Sequence, residues 1–256
     1  MSLMNNDTDL IFGLHSIAEA ITNKKRGQWD IYGTDESIKD LRKLHFNNQK
    51  LPEAVEITIL SSHKLQEEGK LQLRERDFRD QRVPSNIFLV TQKLPEESLA
   101  VIYDFIDKNE TLKMMALDQV TDIHNLAAIL RTAAFYDLDF VLISKKGPLD
   151  FPPSFFRIAS GAGEHVKLIN CSGLPKALNK IKEKNVNCLG LAEESTVTAD
   201  KVKSFAKTCL VMGAEDTGLS NATRRVIDTF VSLPARGPIK SLNVSVAGAI
   251  AMEKFL

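Results

Sequence analysis

The sequence predicts an α/β fold in two parts, a C-terminal parallel sheet layered with helices and a small N-terminal α/β domain before it. Three observations predict this. Short apolar runs alternate with amphipathic helical patterns along most of the chain. The runs of the C-terminal half are continuously apolar, as strands buried on both faces must be. A polar stretch from Leu94 to Thr111, with Pro95-Glu96-Glu97-Ser98 and Asp107-Lys108-Asn109-Glu110 in it, separates the two textures and puts a domain boundary near residue 105. With 256 residues, 43% of them hydrophobic, the chain has material for two such cores.

In residues 1–105, Ile11-Phe12 reads as the end of a short strand and Gly13 as a turn. Leu14, Ile17, Ala18 and Ile21 then fall at helical spacing. Asp30-Ile31-Tyr32 reads as a strand, Glu36 to Lys43 as a helix, Val55 to Leu60 as a strand, and Ser62 to Leu73 as a helix opened by a serine cap. In residues 106–256 strands are expected at Met114–Leu117, Phe140–Ile143, Val166–Ile169, Cys188–Leu191, Cys209–Met212 and Phe230–Leu233. The helices between and after them are Leu126–Tyr136, Pro153–Ser160, Leu174–Lys184, Asn221–Ile227 and Leu242–Phe255.

Composition narrows the function classes. Apolar runs such as Ile87–Val90 and Phe140–Ile143 are far shorter than the roughly 20 residues of a membrane span, and Met1-Ser2-Leu3-Met4 lacks the pattern of a signal peptide. A cytoplasmic protein is expected. Cys171, Cys188 and Cys209 are odd in number and widely spaced, which argues against a disulfide framework or a zinc site; no metal is expected. Net charge is zero, with 14 Lys+Arg against 17 Asp+Glu in residues 1–105 and 19 against 16 in the remainder. Any nucleic-acid contact must then use local clusters such as Lys24-Lys25-Arg26, Lys145-Lys146 or Arg224-Arg225, each of which also reads as solvated surface.

The first strand of the C-terminal half is not followed by the Gly-x-Gly-x-x-Gly turn of dinucleotide-binding folds. Leu117-Asp118 leads instead through Val120 to Asn125 into a helix carrying Arg131-Thr132-Ala133. Glycine-rich and sharply turned segments come late, at Gly213-Ala214-Glu215-Asp216-Thr217-Gly218-Leu219 and at Leu233-Pro234-Ala235-Arg236-Gly237 before Ser241-Leu242-Asn243-Val244-Ser245. A ligand site built from late loops follows. For single residues two readings stand: Arg131 as a buried ion pair with Glu164 or Glu215, or as a functional cation; Asp122, Asn125, Ser241 and Asn243 as helix caps, or as site residues; Glu215 as a carboxylate bonded to its own loop, or as an orienting group. His124 and His165 read as structural.

Together these segments resemble the three signature motifs of the SpoU family of RNA ribose 2′-O-methyltransferases, in the family's order. The first motif, D-P-x-N-x-G-x-I-x-R-T-A, is matched by Asp122, Asn125, Ile129, Arg131, Thr132 and Ala133, with Ile123 in place of the proline and Ala127 in place of the glycine. The second resembles Gly213-Ala214-Glu215 with Gly218-Leu219, and the third Pro234, Gly237 and Ser241 to Ala247, with Leu233 for the usual isoleucine and Ala235 for the usual methionine. Ser160-Gly161-Ala162-Gly163-Glu164-His165-Val166 looks like a further family segment. Ile11 to Ile17 is similar to the start of the ribosomal-protein L30e-like domain that precedes the catalytic half in ribosomal members.

The resemblance implies a deep trefoil α/β-knot in residues 106–256, an RNA substrate-binding domain in residues 1–105, a homodimer, and S-adenosylmethionine as cofactor. It implies Asn125, Arg131, Glu215, Ser241 and Asn243 as catalytic residues, with Gly213, Leu233 and Leu242 holding the cofactor through their backbone. A guanidinium with a pKa above about 12 is a poor base, so Arg131 is expected to grip a phosphate and stabilise a developing alkoxide. The implied substrate is a guanosine of 23S ribosomal RNA, with transfer RNA second. The alternative is an RNA-binding or ribosome-assembly factor that has lost activity through the changes at Ile123 and Ala127.

Overall fold

The computed structural model describes residues 7–46, 54–78, 82–144, 149–198, 202, 205–227, 229–239 and 241–256. Its elements in chain order begin with β1 (Thr8–Phe12), α1 (Leu14–Thr22), a 3-10 turn at Lys24–Arg26, β2 (Trp29–Gly33), α2 (Asp35–Phe46), β3 (Val55–Ile59), α3 (Ser62–Glu75) and β4 (Ile87–Gln92). They continue with α4 (Leu99–Lys108), β5 (Leu112–Asp118), α5 (Ile123–Phe135), β6 (Phe140–Ile143), α6 (Pro153–Ala159), a 3-10 turn at Ala162–Glu164 and β7 (Lys167–Asn170). The last are α7 (Leu174–Glu183), β8 (Asn187–Leu191), β9 (Lys207–Gly213), α8 (Asn221–Arg224), β10 (Thr229–Val231) and α9 (Val244–Phe255). Among the described residues no helix is long and apolar enough to cross a membrane.

The chain divides into two compact units, and the division differs from the one read at residue 105. Residues 1–95 and 150–164 form the first unit; 96–149 and 165–256 form the second. The polar ends of Leu94–Thr111 disguise α4, whose Ile102 and Ile106 are buried in the core of the second unit. The helix expected at Pro153–Ser160 forms, but it belongs to the first unit. There Phe156 packs against the cluster of Ile17, Ile21 and Trp29, and the Ser16 hydroxyl donates to the Phe156 carbonyl at 2.8 Å.

In the first unit a four-stranded sheet runs β1-β4-β2-β3, with β4 antiparallel to both neighbours and β2 parallel to β3. Alternation along the strands feeds two cores. Ile11, Ile31, Ile87 and Leu89 pack with α1 and α2 on one face, while Leu10, Phe12 and Phe88 pack with Leu65 and Leu73 of α3 on the other. Ser61 caps α3 as the sequence suggests. β4 lies centrally, hence its unbroken apolar run.

A buried ionic cluster fixes the 150–164 segment within this unit. Arg26 is 1% exposed, and its guanidinium donates to Glu164 through Nε and Nη2, at 2.7 to 3.0 Å, and to Asp9 Oδ2 through Nη1 at 2.8 Å. Asn23 adds a bond to Glu164 Oε2 at 2.8 Å. Burial alone lowers the Arg26 pKa, but Glu164 and Asp9 together outweigh it and leave it raised. Burial pushes the Asp9 carboxyl up by more than Arg26 brings it down. Arg26 is thus withdrawn from the basic cluster, which leaves Lys24 and Lys25 exposed.

The second unit holds a six-stranded, all-parallel sheet in the order β10-β8-β9-β5-β6-β7. On one face Met114, Ala116, Phe140, Leu142 and Val211 meet Ile102 and Ile106 of α4 and Leu178 and Ile181 of α7. On the other, α5 and α9 pack together, and α9 also packs on β9. Near Gly248 of α9 lie Met212, Ile129 and Met115. β10 ends at Val231 and α9 begins at Val244, so Leu233, Ser241 and Leu242 all sit in the connecting loop.

Removing the guanidinium tests how much Arg26 contributes. Arg26→Met strands two buried carboxylates and is expected to lower unfolding free energy by about 3–5 kcal/mol in chemical denaturation. A loss under about 1 kcal/mol would mean that the cluster is loosely packed or hydrated.

Candidate functional site

A parallel sheet gathers its loops at the carboxyl ends of its strands, where ligands of such folds bind. β5 and β9 lie side by side, with Asp118 at the end of β5 opposite Gly213 at the end of β9. Beyond Gly213 the chain reverses at once. Ala214 and Gly218 exchange two backbone hydrogen bonds, of 3.2 and 2.9 Å, around Glu215-Asp216-Thr217, and Gly218 takes a left-handed φ of +64°. The reversal presses the loop against its own root. A Cβ on Gly213 would lie 2.0 Å from the carbonyl carbon of Gly218 and 2.2 Å from its oxygen and from the Leu219 nitrogen. Gly213 is therefore demanded by a backbone-to-backbone contact. Glu215 stands in the turn, exposed.

The second leg of this loop is held by Leu219, which is buried in the core, and by Asp118. Asp118 is only 3% exposed and accepts the Ser220 N–H on Oδ2 at 2.8 Å. Ser220 in turn caps α8, its Oγ accepting the Thr223 N–H at 3.2 Å. Sequence reasoning passed over Asp118. Its signal was a lone carboxylate directly after the apolar run Met114–Leu117.

After β5, Gln119 has a left-handed φ of +62° and turns the chain toward α5. Asp122 is the cap of α5, accepting the Asn125 N–H at 2.9 Å, so Asn125 is free of capping duty. Its Oδ1 accepts from Asn243 Nδ2 at 3.0 Å. Asn243 caps α9, and its Oδ1 takes the Ser245 N–H at 3.0 Å and the Ser245 hydroxyl at 2.5 Å. With that oxygen occupied, only the amide nitrogen of Asn243 can face Asn125. The Asn125 Nδ2 donors then have no partner among the described residues. At the other end of the pair, Tyr136 is hydrogen-bonded to Glu253, which raises the tyrosine's pKa. α5 and α9 are thus tied at both ends.

The structure joins Asn125 to Asn243 and leaves other expected residues apart. Arg131 is exposed on α5, without ion pair or hydrogen bond among the described residues, so the pairing with Glu164 or Glu215 does not form. Glu164 belongs to Arg26. Ser241 is exposed two residues before the Asn243 cap and makes no capping bond itself, and Leu242 beside it is also exposed. Leu233 is half-buried just past β10, and from Leu233 to Arg236 no backbone-to-backbone hydrogen bond forms among the described residues.

Other candidates fall away or are redefined. Arg224 is bound by Glu194 and lies over the Phe230 ring, 4.9 Å from its centroid, while Arg225 is exposed. Lys145-Lys146 lies outside the described residues. His124 and His165 are exposed. The three cysteines are buried thiols. A hydrogen bond with Cys188, then burial, holds Cys209 well above its usual pKa, and burial raises Cys171, so neither is poised as a thiolate nucleophile. Among the described residues no group of three or more His, Cys, Asp or Glu is arranged for a metal ion.

Both departures from the first motif are accommodated. Ile123 is the first residue of α5, where a proline would lose no intrahelical bond. Asp122 has ψ of 119°, the extended conformation that a residue before proline adopts. Ala127 is completely buried, its methyl absorbed into the packing.

Comparison with known proteins gives consistent results. Residues 113–253 match the model of the SpoU rRNA methylase family. The chain is 36% identical over 149 residues to the 23S rRNA (guanosine-2′-O-)-methyltransferase RlmB of Acinetobacter baylyi, covering 57% of this chain and 60% of that protein. It is 31% identical over 195 residues to RlmB of Escherichia coli K12, covering 74% and 80%. The matched region thus spans less than two thirds of the Acinetobacter relative. Among solved structures, a TrmH-family RNA methyltransferase from Porphyromonas gingivalis superposes with a TM-score of 0.71 at 18% identity, over 98% of this chain and 90% of the other. AviRb from Streptomyces viridochromogenes, solved with AdoMet, gives 0.71 at 17% identity over 97% and 89%. At such identities the likeness speaks for the α/β fold with its parallel sheet.

Two substitutions probe the site's framework. Gly213→Ala is expected to destabilise the protein by at least about 2 kcal/mol in chemical denaturation, since backbone must move to admit the methyl; an unchanged midpoint would show that the loop does not press on its root. Ile123→Pro is expected to be neutral or stabilising by up to about 1 kcal/mol. Clear destabilisation would show that the isoleucine side chain has a packing role.

Proposed function

As the chain belongs to the SpoU rRNA methylase family, we propose that it methylates a ribose 2′-hydroxyl of structured RNA, a guanosine of 23S ribosomal RNA, using S-adenosylmethionine. The observation that carries this reading is the Asn243–Asn125 bond. It joins the first and third motif segments, distant in sequence, at the adjoining starts of α5 and α9 and leaves the Asn125 amide donors without a partner among the described residues.

The residues at the strand ends suit the cofactor. Leu233 and Leu242 offer apolar surface for a base, and the backbone from Leu233 to Arg236 retains N–H and carbonyl groups not spent on other backbone. The Gly213–Gly218 reversal stands at the carboxyl end of β9 in the same sheet. When bound, S-adenosylmethionine supplies a methyl group on a positively charged sulfonium. The chain's own residues have to bind two substrates and align them. Asn125 donates to the RNA from a position fixed by Asn243. Arg131 grips the phosphate beside the target ribose and stabilises the hydroxyl oxygen as its proton passes to water. Glu215 orders the cofactor loop or draws Arg131 inward, and Ser241 meets substrate from the loop before α9.

The reading extends to architecture. α9 follows the edge strand β10 yet packs on β9 and α5 near the sheet centre, as expected if the chain threads the loop after β9 in a trefoil knot. Phe135, 81% exposed one turn from Arg131, and the exposed Leu242 and Val246 favour a homodimer built on α5 and α9. The first unit, residues 1–95 with 150–164, is assigned to RNA recognition on an L30e-like scaffold. Lys24 and Lys25 are among its contacts.

Arg131→Ala is expected to reduce methyl transfer to RNA by at least about a hundredfold while calorimetric affinity for S-adenosylmethionine stays within a few fold. Joint loss of cofactor affinity and activity would place Arg131 on the cofactor side. Absence of cofactor binding by the folded wild type at millimolar concentration would contradict the function itself.

A further inference from the structure

We propose that Asp118 is the positioning residue of the Glu215 loop and that, through this loop, it sets the protein's affinity for S-adenosylmethionine. The inference rests on the cofactor reading above. Asp118 is an aspartate at a place where burial favours an apolar residue: it is 3% exposed, follows the buried apolar run Met114–Leu117, and has no Lys or Arg partner among the described residues. Desolvating a carboxylate without a cation is costly, so the residue is explained by what it accepts. That is the Ser220 N–H, at 2.8 Å, from the peptide where the 214–219 reversal enters α8.

The loop has three restraints, and each acts on a different part. The Ala214–Gly218 pair closes the turn, Leu219 inserts into the core, and Asp118 fixes the exit. The first two are internal to the loop or non-directional. Among the described residues only the third links it to β5 by a directional bond, and hence to the strand from which Gln119 turns toward Asp122 and Asn125. One carboxylate therefore sets the spacing between the segment holding Asn125 and the loop carrying Glu215. Without it Ser220 loses its acceptor, the exit swings from β5, and the Glu215 loop at the carboxyl end of the sheet is no longer fixed.

The test uses the full chain as wild type, Asp118→Ala, Asp118→Asn and Ser220→Pro. The proline substitution removes the N–H at a φ of −60°, which proline adopts. Calorimetric titration with S-adenosylmethionine is combined with hydrogen exchange of the amides at 213–220. Asp118→Ala and Ser220→Pro should each weaken binding at least tenfold and speed exchange at 214–220, with β5 and β9 still protected. Asp118→Asn, whose carboxamide oxygen still accepts from Ser220, should bind within about threefold of wild type. If Asp118→Ala does not fold, Ser220→Pro and Asp118→Asn decide. Wild-type affinity in a folded Asp118→Ala or Ser220→Pro protein overturns the proposal, as does an Asp118→Asn loss as large as that of alanine. A wild type that does not bind cofactor overturns the cofactor reading instead, and exchange at 214–220 then decides whether Asp118 holds the loop.

Discussion

Between Gly213 and the backbone of Gly218 and Leu219 there is no room for a side chain, since a Cβ would come within 2.0 Å of a carbonyl carbon. Much of the second unit's site depends on this contact. It allows the chain leaving β9 to turn back at once, so that Leu219 reaches the core and Ser220 reaches Asp118. Glu215 is then presented at the carboxyl edge of the sheet on a short closed turn, instead of on a wandering loop. β5 and β9 are central neighbours in the sheet, so the loop's root is as rigid as anything in the unit. A site on rigid strand ends, with its reactive groups on loops, is what a reaction limited by alignment requires.

The first unit depends on a different kind of interaction. Arg26 gathers Asp9 from β1 and Glu164 from a segment more than a hundred residues later. Buried ionic clusters add little net stability compared with apolar packing, but they define one arrangement and penalise others. Here the arrangement fixed is the docking of 150–164 on β1 and α1. Removing residues 1–105 would therefore do more than delete a domain. It would uncover Phe155 and Phe156, strand Glu164, and take Ile102 and Ile106 from the core of the second unit.

Where one physical signal dominates, the sequence was readable. Continuous apolar runs marked β5, β6, β8 and β9 because strands covered on both faces have no polar side, and the motif segments located the late loops. α4 was hidden because its apolar stripe is framed by charged ends. The placement of 150–164 depends on tertiary contacts, above all Arg26 with Glu164, that no local pattern carries. Within the site, Asn125 and Asn243 were legible as residues, but their mutual bond was not. It follows from Asp122 taking the α5 cap and Ser245 occupying the Asn243 oxygen. Asp118 went unread because one acid at a strand end has no periodicity to betray it. A buried pair was one of two readings for Arg131, because its neighbours on α5 are apolar; the residue lies on the solvent side of that helix, which leaves the reading as a functional cation.

The central claim is that this chain methylates a guanosine ribose of 23S ribosomal RNA. Mass-spectrometric mapping of ribose methylation in 23S RNA, from the source organism and from a strain lacking this protein, tests it most directly. The account predicts that one 2′-O-methylguanosine disappears in the deletion strain and returns with the wild-type gene. A 23S methylation map that is identical in the two strains would contradict it.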